Sequence, residues 1–249
     1  MCIRDSYYAA QTPGALAFKA SAWKPAKAPL KADSFGKCAY CEAPTALVAH
    51  GDVEHFRPKS AYWWLALCFD NYLYSCQVCN QTHKGNKFPK SAADLPAPAM
   101  PAAKPTGDTL DALAVSLVLD AVAMTDAQFV AAWDVEKPDL INPYFEDPEP
   151  LVAYEVDDAN QEIWLRSAGG DRADRAARSA DEVLGINRDE LRRARYAMYL
   201  PLAALKVILQ AQLPGDVHMI ALTEFRRMQV ASEPFAGMRR YFARIWGIP

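Results

Sequence analysis

Two cysteine pairs, CAYC at Cys38 and Cys41 and CQVC at Cys76 and Cys79, flank a segment that carries DVEHFRPKS, with His55 near its middle. Cysteines paired at this spacing are expected to be zinc ligands, four thiolates completing one tetrahedral structural site; buried free thiols are the alternative. The 34 residues between the pairs exceed the roughly 15–20 of an ordinary zinc ribbon, so the loop holds more than a turn. Closing such a loop costs roughly 3 kcal/mol. A structural zinc returns something like 10 kcal/mol or more, so the metal dominates the loop entropy.

The residues inside the loop suit phosphodiester hydrolysis, which needs a base to deprotonate water and a cation to stabilise the pentacoordinate phosphate and the departing oxygen. Glu54 precedes His55, and Arg57 and Lys59 follow it. Asn71 lies before the second cysteine pair, and Asn80, nine residues on, directly follows that pair. A phosphate near His55 could thus be both attacked and held. Because neighbours on a regular strand face opposite ways, Glu54 and His55 share a site only at a strand end or bulge. Asp52, on the Glu54 face, is a rival ligand.

CAYCE, DVEHFRPK, NYLYSCQVCN, KGNKFP, INPYFEDPEP and LGINRDELRRAR together resemble the His-Asn-His (HNH) endonucleases associated with retrons and the Septu anti-phage system. The resemblance is dense from Cys38 to Pro89 and looser from 141 to 195. It implies an α+β protein with a zinc-stapled ββα-metal (His-Me finger) motif and a mainly α-helical C-terminal region. It also implies roles. His55 would be the general base, and Asn71 would brace the loop that orients it. Glu54 and Asn80 would bind one divalent ion, magnesium or manganese, and the four cysteines would hold structural zinc. The last motif position is often His in that family. Here it is Asn80, with His83 three residues on, so the second ligand lies between those two. Cleavage of DNA, and control by a defence-system ATPase, are further implications. A catalytically weak zinc-stapled module that binds nucleic acid or protein is the alternative, and RNA is a third possibility because a water-activating group does not distinguish the sugar.

The net charge of -3 hides a division: residues 1–90 carry 11 Lys or Arg against 6 Asp or Glu, and the remainder is acidic. Phosphate binding depends on local charge, since fields are screened beyond about 10 Å. Arg57, Lys59, Lys84 and Lys87 are candidate backbone contacts, with Lys90 beside them; a solvated helix face explains the last three equally well. Trp63 and Trp64 could stack on bases, but packing in a small core is the favoured reading. Arg188, Arg192 and Arg195 form a stripe that reads as a solvated face.

The opening MCIRDS matches what a common sequencing-transposon end encodes in frame and is set aside as non-native. Without it five cysteines remain, four of them in the pairs and Cys68 alone, a set that suits metal in a reducing compartment better than disulfides. No charge-free stretch reaches the roughly 18 residues of a membrane span, and no secretory signal is evident, so a cytoplasmic protein is expected. A nuclease module over 7–90 is expected to include a helix and an extended basic arm before Cys38 and a strand around Val53 to Phe56. Residues 91–107, with 10 Ala or Pro in 17, read as a linker. A mainly helical region over 108–249 follows. In it, Leu110, Leu113, Leu117 and Met124 recur at helical spacing, and a hairpin turns about DDAN between 151 and 165. A helix capped by Asn187 is interrupted at Pro201, and two more cover 217–230 and 235–246.

Overall fold

The computed structural model describes residues 18–45, 50–117, 124–211 and 213–248. The MCIRDS segment, and the residues following it up to 17, lie outside these. The protein is α+β, with two small antiparallel sheets and a set of helices. Strand β1 (Asp52–His55) pairs with β2 (Tyr72–Ser75), His55 opposite Tyr72 and Asp52 opposite Ser75. A seven-residue π-helix (Val78–Lys84) follows β2 directly. The order strand, strand, helix is therefore contained within the segment that holds the second cysteine pair.

Gly51 fixes how the chain enters β1. Its φ is +56°, and a Cβ there would meet the Tyr74 ring at 2.4 Å, so only glycine lets the backbone cross that ring. All four residues of β2 are buried. Leu73 packs with Phe56, Leu140, Val183 and Leu184, while Tyr72 and Tyr74 cover Leu30 of α1 (Lys27–Asp33). The basic stretch before Cys38 is thus not an extended arm where described. It is helical, beginning with two short 3-10 turns over Ala20–Ala22 and Lys24–Ala26.

Two helices, α2 (Asp108–Ser116) and α3 (Asp126–Trp133), follow the Pro/Ala-rich stretch. A reciprocal capping box of Thr125 and Gln128 starts α3, satisfying donors that the first helical turn leaves unpaired. Residues 91–107 do not divide the chain into separate cores. Tyr62, Trp63, Trp64 and Cys68 from one side pack with Leu117, Phe129 and Trp133 from the other. Each large apolar side chain so buried contributes about 1.5–3 kcal/mol, which ties the two regions together. It also places both tryptophans and Cys68 in the core rather than at a surface.

The hairpin β3 (Val152–Asp157) and β4 (Glu162–Ser167) lies where the alternation placed it. Helix α4 (Asp171–Leu184) is not among the elements expected above. Its buried face is Ala173, Ala176, Ser179, Val183 and Leu184, mostly small residues that nevertheless recur at helical spacing opposite a charged face. Helix α5 (Asp189–Gln210) runs unbroken through Pro201. Pro201 is exposed, and the carbonyl one turn back, freed of its donor, faces water rather than ending the helix. Asn187 does not cap α5. Its side chain accepts from Leu165 N at 2.8 Å and donates to Leu165 O at 3.1 Å, pinning β4. Helices α6 (Gly215–Arg227) and α7 (Ala236–Trp246) complete the chain. No helix among the described residues is long and apolar enough to cross a membrane.

Candidate metal centre and His55 cavity

The Sγ atoms of Cys38, Cys41, Cys76 and Cys79 lie within 4.8 Å of one another. A tetrahedron of sulfurs about 2.3 Å from zinc has edges near 3.8 Å, so this set could hold one zinc ion with small adjustment. Three of the four are buried. Their proton affinities are driven apart, because neighbouring thiols at this range share protons. Burial raises the Cys38 thiol, but hydrogen bonds from Cys41 and Cys79 more than offset that and bring it to about 7. Cys76 is pushed far down by hydrogen bonds from Cys38, Cys41 and Cys79. Cys41 and Cys79 are pushed up, chiefly through their hydrogen bonds to Cys38. Thiols this close do not ionise independently, and a bound cation is what would let all four ionise together.

Arg188 belongs to this centre. Its Nη1 donates to Cys79 Sγ at 3.6 Å and to the Gly185 carbonyl at 3.0 Å, setting a positive charge beside the thiolates. Arg192 pairs with Glu162 at 2.9 Å. Arg195 is buried and donates to the Ile186 carbonyl at 2.6 Å. The expected solvated stripe is in fact the seam between α5, the hairpin and the sulfur cluster. The cluster itself packs in one core with Ile163, Leu165, Ile186, Leu202, Phe225 and Phe242.

His55, at the end of β1, is 6 % exposed. Its Nε2 lies 3.0 Å from the Ala66 carbonyl. A carbonyl only accepts, so Nε2 carries the proton and Nδ1 keeps its lone pair. Trp23 and Tyr72 flank the ring edge-on, each with centroids at 5.0 Å. Burial, with Lys59 and Lys84 nearby, lowers its pKa to about 4, leaving the imidazole neutral at pH 7. Asn71 is fully buried and holds the loop that supplies that carbonyl. Its Oδ1 accepts from Arg57 N at 2.8 Å, and its Nδ2 donates to the carbonyls of Arg57 (2.9 Å) and Leu65 (3.3 Å). Leu65 immediately precedes Ala66, so the clamp and the His55 acceptor share one backbone turn.

The strand's alternation sends Asp52 and Glu54 toward the π-helix and His55 the other way. Asp52 Oδ2 accepts from Gln81 Nε2 at 2.8 Å and from Asn80 Nδ2 at 3.4 Å. The buried Glu54 carboxylate is ion-paired with Lys84 Nζ. Its pKa is raised, because burial outweighs the stabilising Lys84 charge. Past the strand end a cavity of about 240 Å³ brings Glu54, His55, Lys59 and Asn80 together, with Trp23, Gln81 and Asn86 in its walls. Trp23, Gln81 and Asn86 were not singled out from the sequence. Trp23 within SAWKPAK does carry the interleaving of basic and aromatic residues that could have marked it.

Three sequence-based candidates sit elsewhere. His83 is turned from the cavity and lies on α4's C-terminal Gly185, where an added Cβ would meet its ring at 2.4 Å. Arg57 is 1 % exposed. It pairs with the buried Glu136 at 2.6 Å and stacks 4.4 Å over Trp133, so it cannot reach a phosphate at the surface. Lys84 is equally buried, donating to the His55 carbonyl at 3.0 Å as well as pairing with Glu54. Of the four expected backbone contacts, Lys59 is half-buried with its Nζ 5.4 Å over Trp23, and Lys87 is exposed.

No family model and no solved structure matches the chain. Among curated proteins it is similar to the Septu protein PtuB of Bacillus mycoides (strain KBAB4), at 43% identity over 67 residues. That match covers 22% of this chain and 23% of the relative, so the chain spans about a quarter of the relative's length.

Proposed function

We propose that this protein is an HNH-type, metal-dependent endonuclease that hydrolyses DNA phosphodiester bonds with His55 as general base, and that it acts as an effector of anti-phage defence. The observation that carries the reading is the His55 geometry. One ring nitrogen is committed to the Ala66 carbonyl, the other is open, and the ring is neutral well below pH 7. A base must present an unprotonated atom to water, and Nδ1 is that atom. Asn71 acts by holding the Leu65–Ala66 turn, which keeps the ring from rotating. The similarity of a short segment to a Septu protein supports the defence role, with an ATPase partner controlling when the enzyme acts.

Glu54 and Asn80 are the side chains that would hold a divalent ion, with Asp52, already bonded to Asn80, as the rival. They fit magnesium in donor type, since all three offer oxygen. Bound there, such an ion would supply positive charge for the scissile phosphate and the leaving oxygen. His55 would take the water's proton at Nδ1, and Lys59 at the cavity wall would hold the phosphate. One observation favours a catalytically weak binding module instead: the Glu54 carboxylate is already neutralised by Lys84. Plasmid nicking with added magnesium separates the two. Wild type should nick, and His55→Ala should lose about 10²–10⁴-fold in rate while keeping its zinc and fold. Nicking by His55→Ala at the wild-type rate would remove His55 from the mechanism. Parallel labelled DNA and RNA substrates would identify the sugar.

A further inference from the structure

The N-terminal helical segment is more than a scaffold for β2. Trp23 stands edge-on against the His55 ring and carries the Lys59 ammonium 5.4 Å from its own ring centroid. On its far side a second cavity, about 400 Å³, is lined by Ala20, Ser21, Lys24, Lys27 and Asp52. Both cavities include Trp23 and Val53 in their walls. The two cavities therefore adjoin at Trp23, with Lys59 lining one and Lys24 and Lys27 the other, and a groove that joins them is taken as the path of the ligand.

The charge in the second half is open to a ligand. Its carboxylate, Asp52, is engaged by Gln81 and Asn80 of the π-helix. Lys24 is exposed and Lys27 half-exposed. Two ammonium groups one step along a groove from a base suit a polyanion whose charges repeat along a chain. An isolated phosphate would not need them. Ammonium–phosphate contacts of this type supply affinity and orientation without reading sequence.

We propose that Lys24 and Lys27 form a flanking-phosphate subsite for a nucleic-acid strand whose scissile phosphate lies at His55. The subsite rests on the nuclease reading above, extending it from the reacting phosphate to its neighbours. A strand entering it passes over Trp23, which separates the flanking phosphates from the one at His55. Lys31, exposed on the same helix but in neither cavity wall, gives the internal control.

The test uses the full zinc-loaded chain and a labelled oligonucleotide. Affinity is measured without added magnesium across a salt series, and nicking is measured separately at saturating protein with magnesium. Lys24→Ala with Lys27→Ala should weaken binding alike for all sequences and lower the log-affinity against log-salt slope by about 1 per lysine. Lys31→Ala should leave both the slope and the nicking rate as in wild type, and the double arginine variant should retain the slope. Melting curves and zinc content confirm that each variant is folded. An unchanged slope in the double alanine variant, with wild type still nicking, overturns the subsite and leaves the nuclease reading standing. A lowered slope in the double alanine variant, when wild type itself never nicks, supports the phosphate-binding groove but removes the nuclease and with it the placement of a scissile phosphate at His55. Absence of both binding and nicking in wild type overturns both.

Discussion

The sulfur cluster and the His55 cavity share no residue but meet on one π-helix, and they handle charge in opposite ways. Cys76 leads into the π-helix, and Cys79, Asn80 and Lys84 lie on it. The four sulfurs face one another inside an apolar core, with one outside charge, Arg188, against them. Nothing there is left over for a substrate. In the cavity each charged or polar group has a partner that a ligand could replace: Lys84 on Glu54, Asn80 on Asp52, the Trp23 face under Lys59. His55 alone is fixed on one side and open on the other. A closed set of ligands is what a structural metal needs, and an incompletely satisfied one is what chemistry needs. The π-helix carries a member of each, Cys79 of the first and Asn80 of the second.

The largest effect should come from breaking the closed half. Cys76→Ser with Cys79→Ser removes half the thiolates, and a structural zinc contributes on the order of 10 kcal/mol. That is comparable to the entire stability of a domain, about 5–15 kcal/mol. Zinc content should fall to background and cooperative melting should vanish. A variant that melts as wild type without metal would make the cluster a set of packed thiols and dissolve the contrast.

Asn71→Ala should separate the two halves. It strips partners from Arg57 N, Arg57 O and Leu65 O, and a buried unsatisfied group costs about 1–3 kcal/mol. The melting temperature should drop and nicking should fall sharply as the Ala66 carbonyl loosens, while zinc content stays at the wild-type level. Full nicking with a lowered melting temperature would confine Asn71 to stability and cut the link from the loop clamp to the base.

What could be read from the sequence follows the range of the interactions. The cysteine pairs announce themselves because metal-ligand spacing is local, and the 151–167 hairpin because alternation is local. Helix α4 is less conspicuous because most of its inner face is small, although Ala173, Ala176 and Ser179 recur at helical spacing opposite charged residues and the helix packs against the π-helix. Arg57, Arg188 and Arg195 looked like surface charge because their partners are distant or backbone. Arg57 meets Glu136 across 79 positions, and Arg188 meets Cys79 across 109. Asn187 had the residue type of a cap, yet its two bonds go to Leu165. The Trp23 contact with His55 needs a fold that returns the N-terminal segment to β1, which no periodicity reveals.

The smallest effect should come from His83, and it decides which side of the comparison that residue belongs to. Its ring rests on Gly185, the left-handed residue that ends α4 with φ +59°, while the cavity walls are formed without it. His83→Ala removes a half-buried packing contact, which should cost no more than about 1 kcal/mol, the usual size of a substitution away from charge networks. Nicking and its magnesium dependence should match wild type. Were His83 a ligand to the cation, its loss would instead raise the magnesium concentration needed for half-maximal nicking, and adding metal would restore the rate. A titration of nicking against magnesium in the variant and in wild type reads that difference directly. Coincident curves exclude His83 and leave Glu54, Asn80 and Asp52 as the candidate donors.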